Sequence, residues 1–244
     1  MTFLGAASAP PLFYTDQHNR EKEHTMLMTQ NSKNWPAVQY RQPVVSNHTP
    51  PDRIALVGFA TRAHILAAPA FPAAPSIIDA IRNKLTAESS SIGSSTNITA
   101  GLRLAVSLLA NAPRGFRKRA WLLSDGQPNE EASEIFPQVE VLRANWINLN
   151  CIAFGDDADE ALLRRMAAST HNGHFFKASD VATLSAAFTG VRQRRHSIAT
   201  KPEMTVFVLD QSGSMWDAIG SQRKIDVVAE ALANLVHQKK QLFS

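Results

Sequence analysis

From residue 52 onward, short apolar runs alternate with longer stretches whose apolar residues recur at helical spacing. "RIALVGFA" (53–60) is a continuous apolar run of strand length, and "AHILAAP" (63–69) follows after a two-residue turn, which predicts a hairpin. "PSIIDAIRNKL" (75–85) carries Ile77, Ile78, Ile81 and Leu85 at helical spacing, with Ser76 near its start. A polar loop, "TAESSSIGSSTN" (86–97), leads into the amphipathic "ITAGLRLAVSLLANA" (98–112), which Pro113 and Gly115 end. "RAWLLSDG" (119–126) predicts a buried strand closing on an acid and a glycine. "NEEASEIFPQVEVLRANW" (129–146) predicts a helix with Asn129 as its N-cap, kinked or broken at Pro137. Then come a strand (147–155), a helix (159–170), a short strand (173–178) and a helix (179–195) with Ser179 as candidate cap. The last strand spans 204–209, and the final helix, 223–243, has Ile225, Val228, Leu232 and Leu235 on one face.

Strands written as uninterrupted apolar runs and separated by helices predict a mainly parallel sheet covered on both faces. The expected fold is therefore α/β and doubly wound, with helices on both faces. The 63–69 strand, reached by a tight turn, is expected to be antiparallel and to lie at an edge. Residues 1–51 break the pattern: they are rich in Gln, Asn, His, Thr and Pro without sustained periodicity, and predict an extended or disordered arm.

Composition narrows the picture only modestly. A chain of 244 residues with 44% hydrophobic content suits one large α/β domain or two small ones, and the run of elements favours one domain plus an arm. No apolar run approaches the roughly 20 residues that a membrane span needs, and "MTFLGAASAPPLFY" lacks the basic start of a signal peptide. The single cysteine, Cys151, excludes an intrachain disulfide and suits a reducing compartment, which points to the cytoplasm; its place in an apolar strand reads as core rather than as a nucleophile. The net charge of +4 gathers in "RGFRKR" (114–119), "RQRRH" (192–196) and "HQKK" (237–240). Such clusters suit either nucleic acid or solvated helix ends, and without interleaved aromatic residues the second reading is favoured.

Three loops that follow strands or enter helices carry the candidate chemistry. The first is Asp210-Gln211-Ser212-Gly213-Ser214, directly after the 204–209 strand. The second holds Ser94, Ser95, Thr96 and Asn97 ahead of the 98–112 helix, and the third is Ser124-Asp125-Gly126. Together they offer two carboxylates and several hydroxyls, a hard oxygen set that suits Mg²⁺ or Mn²⁺ better than zinc. Ser212 and Ser214, two apart around Gly213, can turn both hydroxyls to one side of an extended loop. Each loop alone is an ordinary turn or cap; their combination is specific.

"VFVLDQSGSM", "GSSTNITAGL" and "LLSDG" together resemble the metal-ion-dependent adhesion site of von Willebrand factor type A domains. The resemblance covers residues 52–244 and implies a Rossmann-like fold, with Asp210, Ser212, Ser214, Thr96 and Asp125 as the metal set. Ser95 stands where a glycine is common before the threonine. In that family the Asp-x-Ser-x-Ser strand and its helix come first, whereas here they come last. The resemblance thus implies a circular permutation: 52–195 would hold the second strand through the last helix, 196–203 a linker, and 204–244 the first strand and helix. A fragment of a tandem array is the alternative.

The function implied is a non-enzymatic, divalent-metal-dependent protein-interaction module that captures a partner's Asp or Glu carboxylate. The competing class is a Mg²⁺-dependent phosphatase or a nucleotide-handling enzyme. No Gly-x-Gly-x-x-Gly and no Walker loop supports it. His171, His174 and His196 all fall outside the three loops.

Overall fold

The computed structural model describes residues 51–87, 90–130, 132–190 and 201–241. Nearly all of the predicted arm, most of the linker and the "RQRRH" cluster lie outside these residues. Six strands form the main sheet: β1 (Arg53–Phe59), β2 (Ala63–Ala70), β3 (Arg117–Ser124), β4 (Ile147–Phe154), β5 (Phe175–Ala178) and β6 (Glu203–Asp210). Their order is β2-β1-β6-β3-β4-β5. The β1–β2 pair is antiparallel, and the four other pairings are parallel. The last of these six strands in sequence is thus interior to the sheet. β6 pairs with β1 from Met204 opposite Arg53 to Asp210 opposite Phe59, and with β3 from Glu203 opposite Arg117 to Leu209 opposite Leu123.

Burial follows from that position. All eight residues of β6 are buried, because helices cover both faces and neighbours pair both edges. Side chains alternate between two cores, as the two-residue period of a strand requires. Phe207 and Leu209 pack on one face, with Ile54 and Leu56 of β1. The helices there are α1 (Pro75–Asp79, continued by a π turn over Ala80–Lys84), α5 (Val181–Gly190) and α6 (Lys224–Gln241). Met204, Val206 and Val208 pack on the other face, under α2 (Ile98–Ala110), α3 (Ala132–Ala144) and α4 (Glu160–Ala168). The doubly wound α/β fold with one antiparallel edge strand is therefore present as expected.

Several local expectations give way to other contacts. α1 starts on Pro75 with Ala74 at its N-cap and no side-chain cap bond, so Ser76 is not the cap. α3 starts at Ala132 rather than Asn129 and runs through Pro137 to Ala144 without ending there. At α5 the Thr183 amide donates to Asp180 Oδ1 at 2.7 Å, so Asp180 takes the place expected of Ser179. A small hairpin, β7 (Ala218–Ile219) with β8 (Gln222–Arg223), precedes α6. Cys151 is buried in β4 as expected, and burial pushes its thiol well above the usual range, which leaves it unreactive. Among the described residues no helix is long and apolar enough to cross a membrane.

One glycine sets how closely α2 approaches the sheet. A Cβ on Gly101 would sit 2.7 Å from Val208 Cγ1 and 3.1 Å from the Phe59 ring. Both neighbours belong to the packed core, so neither can yield freely. Gly101→Ala is expected to cost about 1–3 kcal/mol by overpacking, despite alanine's better helix propensity. Urea denaturation checks this, and an unchanged or raised midpoint would show that α2 can shift outward.

Candidate functional site

In an open parallel sheet the loops at the carboxyl ends of the strands converge. β6 and β3 are neighbours, so Asp210, the last residue of β6, and Asp125, the first after β3, emerge side by side. Both are fully buried. Asp210 Oδ2 accepts from Ser124 Oγ at 2.7 Å, and Oδ1 accepts from the Ser212 amide at 2.8 Å. Burial pushes the Asp210 carboxyl up to about 6, with the donors from Ser212 and Ser124 pulling the other way and the Asp125 charge adding to the rise.

The loop after β6 turns back through a short 3-10 segment, Gly213–Trp216. Gln211 anchors it: its amide donates to Phe59 O at 2.7 Å and its Nε2 to Leu85 O at 2.9 Å. Gly58 makes room for that side chain, because a Cβ there would collide with Gln211 Oε1. The turn brings the Ser212 and Ser214 hydroxyls 3.3 Å apart, and Ser214 Oγ donates to Asp125 Oδ1 at 2.9 Å.

The Thr96 loop is tied to both of the others. The Gly213 amide donates to Ser94 O at 3.0 Å, joining it to the loop after β6. Asn129 joins it to the loop after β3: the Thr96 amide donates to Asn129 Oδ1 at 2.6 Å, and the Asn129 amide donates to Thr96 O at 3.0 Å. The Thr99 amide adds a bond to Glu130 Oε1 at 2.7 Å. Asn97, not Thr96, caps α2 by accepting from the Ala100 amide at 2.7 Å. Ser95 fits without strain: it is not among the described residues with positive φ, and its amide is bonded to Thr61 Oγ1 at 3.2 Å. Gly93, with φ of 80°, supplies the unusual backbone two residues earlier.

Asp210, Ser212, Ser214 and Asp125 therefore lie in one hydrogen-bonded cluster, and main-chain bonds fasten the Thr96 loop to it. Two further residues join this cluster: Ser124, which the sequence reading places in the third loop but not in the metal set, and Lys224, which has no part in that reading. Ser124 holds Asp210, and Lys224 donates from Nζ to Asp125 Oδ2 at 2.8 Å. The signal for Lys224 is its helical spacing with Val227, Val228 and Ala231, all buried, which puts a lysine on the apolar face of α6. His171 and His174 sit at the opposite end of the sheet, before β5; His171 stacks on Trp146 with ring centroids 4.4 Å apart. His196 lies outside the described residues. Among the described residues no three His, Cys, Asp or Glu side chains gather as a metal-ligating group, so a metal here would depend on the hydroxyls.

The family profile of the von Willebrand factor type A domain matches residues 37–190. The chain belongs to this family. Such domains commonly serve as protein-interaction modules and are generally not enzymes. The matched stretch contains Thr96 and Asp125 and stops before Asp210, Ser212 and Ser214. Among solved structures, a von Willebrand factor type A protein from Catenulispora acidiphila is 21% identical with a TM-score of 0.49, over 59% of this chain and 34% of that one. The chain thus spans about a third of that relative's length. The SpRpn10 VWA domain is 11% identical with a TM-score of 0.46, covering 57% of this chain and 71% of its own. An uncharacterised membrane-spanning protein from Vibrio fischeri is 20% identical with a TM-score of 0.30, over 60% and 77% of the two chains. No curated protein matches.

Proposed function

We propose that this vWA domain is a metal-ion-dependent protein-interaction module whose metal set is Asp210, Ser212, Ser214, Thr96 and Asp125. The observation that carries the reading is the clustering of two buried carboxylates with two hydroxyls, Ser212 Oγ and Ser214 Oγ lying 3.3 Å apart. Oxygens that bind one Mg²⁺ at adjacent positions of an octahedron stand roughly 3 Å apart, given metal–oxygen distances of about 2.0–2.1 Å. The donor set is hard oxygen throughout, so Mg²⁺ or Mn²⁺ fits it.

On this reading Ser212, Ser214 and Thr96 supply neutral oxygens, and Asp210 and Asp125 orient bound waters. A cation held with few direct charges stays electrophilic and offers a replaceable position to a carboxylate. The Asp210–Ser124 and Asp125–Ser214 bonds keep the acids oriented before any ligand arrives. The partner is then a protein presenting an Asp or Glu.

The order of the strands supports a circular permutation. Counting β6 first turns β2-β1-β6-β3-β4-β5 into 3-2-1-4-5-6, the common order of doubly wound sheets. On this reading residues 52–195 carry the family's second strand through last helix, and 204–244 its first strand and helix.

A saturating divalent cation is expected to stabilise the protein by mass action, by about 2.7 kcal/mol at a hundred times its Kd. Asp210→Asn and Thr96→Ala should each abolish the rise in thermal midpoint on adding Mg²⁺, with the fold kept. A shift in both variants equal to that of the unaltered protein rules the assignment out.

A further inference from the structure

The side chain of Lys224 is only 8% exposed, although lysine is almost never fully buried unless paired. Its ammonium donates to Asp125 Oδ2 at 2.8 Å and lies 4.0 Å from Asp157 Oδ2, whose side chain is 84% exposed. The partner that matters is therefore Asp125. The two oxygens of that carboxylate have different neighbours: Oδ1 accepts from Ser214, on the hydroxyl side, and Oδ2 accepts from Lys224. The main chain fixes the lysine as well. Its amide donates to Asp217 O at 3.0 Å, and Gly155 lies close enough to Nζ that a Cβ there would be 3.8 Å away.

Charge counting gives the arrangement a consequence. Asp210 and Asp125 bring two buried negative charges to one cluster, and Lys224 brings one positive charge. The cluster therefore carries one net negative charge instead of two. A divalent cation added to the two acids alone gives a neutral centre; with Lys224 it gives a net positive one.

Resting on the metal-dependent reading above, we infer that Lys224 is a built-in counter-charge that sets how tightly the site holds a divalent cation. It orients Asp125 and balances its charge when no metal is bound, so the fold does not depend on metal. It also repels an arriving cation, which keeps the site's affinity moderate. Once loaded, the site carries the surplus positive charge that suits an anionic ligand group.

The test is Mn²⁺ binding by titration calorimetry to the unaltered protein, Lys224→Met and Lys224→Gln, with thermal midpoints in chelator and in Mn²⁺. Gln keeps a donor for Asp125 while removing the charge, so it reads the electrostatic effect even where Met fails to fold. Both substitutions are expected to tighten Mn²⁺ binding on the order of tenfold or more, since a fixed positive charge is removed from a partly desolvated site. In chelator the midpoint of Lys224→Met should fall well below that of the unaltered protein, and Mn²⁺ should recover most of the gap. Unchanged or weaker Mn²⁺ binding in both variants, beside clear binding to the unaltered protein, overturns this inference and leaves the metal reading standing. Absence of Mn²⁺ binding in all three proteins overturns both.

Discussion

A chain ending at Thr200 is expected to aggregate instead of folding. It would lack β6, which is hydrogen-bonded to β1 on one side and β3 on the other. Two strand edges would open in the middle of the sheet, each presenting unpaired backbone groups to other chains. Both cores would be emptied at once, losing Phe207 and Leu209 on one face and Met204, Val206 and Val208 on the other. Full burial of one such side chain contributes about 1.5–3 kcal/mol, against a total stability of about 5–15 kcal/mol for a typical domain. The deletion also removes α6, with Ile225, Val228, Leu232 and Leu235 in the first of these cores. Glu203, the partner of Arg119 at 3.0 Å, goes as well. The shortened chain would still contain the whole stretch that matches the family profile, residues 37–190. Size-exclusion chromatography and circular dichroism decide the matter. A monomeric fragment with a cooperative thermal transition would mean that β1 and β3 can close without β6, and would favour the tandem-fragment origin over permutation.

The sheet was legible because its strands are buried on both faces and so read as unbroken apolar runs. Residues 53–60, 119–124 and 204–209 stood out for that reason, and they form the three adjacent central strands. Asp210, Ser212, Ser214 and Asp125 were legible because polar residues directly after such runs must lie at a strand's carboxyl end, where loops converge. The misses share a different cause. Asn129 looks like a helix cap because caps are local, but its side chain serves Thr96, more than thirty positions away in sequence. Lys224 sits in a polar stretch, "SQRKID", and only the helical phase of Val227, Val228 and Ala231 reveals that it turns inward. Pairings between distant segments, as with Lys224 and Asp125, leave no trace in local pattern. Pro137 marks the converse limit: its missing amide costs one helix bond, yet the helix continues to Ala144 with Ile135, Val139 and Leu142 held in the core.

In chelator, the stability of the protein relative to Asp210→Asn is expected to fall as pH rises from about 4 to about 6. Burial raises the Asp210 carboxyl from 3.8 to about 6 in the folded state. The unfolded chain, fully hydrated, keeps the ordinary value. Between these two values the folded state therefore holds the proton that the unfolded state has released. Stability from this group is fully present below the ordinary value and is lost as pH climbs through the raised one. At about 1.4 kcal/mol per unit, the loss approaches 3 kcal/mol by neutral pH. On the metal-dependent reading a divalent cation reverses the consequence at the site, because its charge and the waters it holds favour the ionised carboxylate over the protonated one. The stabilisation gained from Mg²⁺ should accordingly grow through the same window. Urea denaturation of the unaltered protein and Asp210→Asn, at intervals from pH 4 to 7 with and without Mg²⁺, measures both effects. The comparison cancels the titration of every group that the two proteins share. Parallel curves in chelator would mean that Asp210 ionises as freely in the fold as in the unfolded chain, and that its burial is relieved by water reaching the cluster.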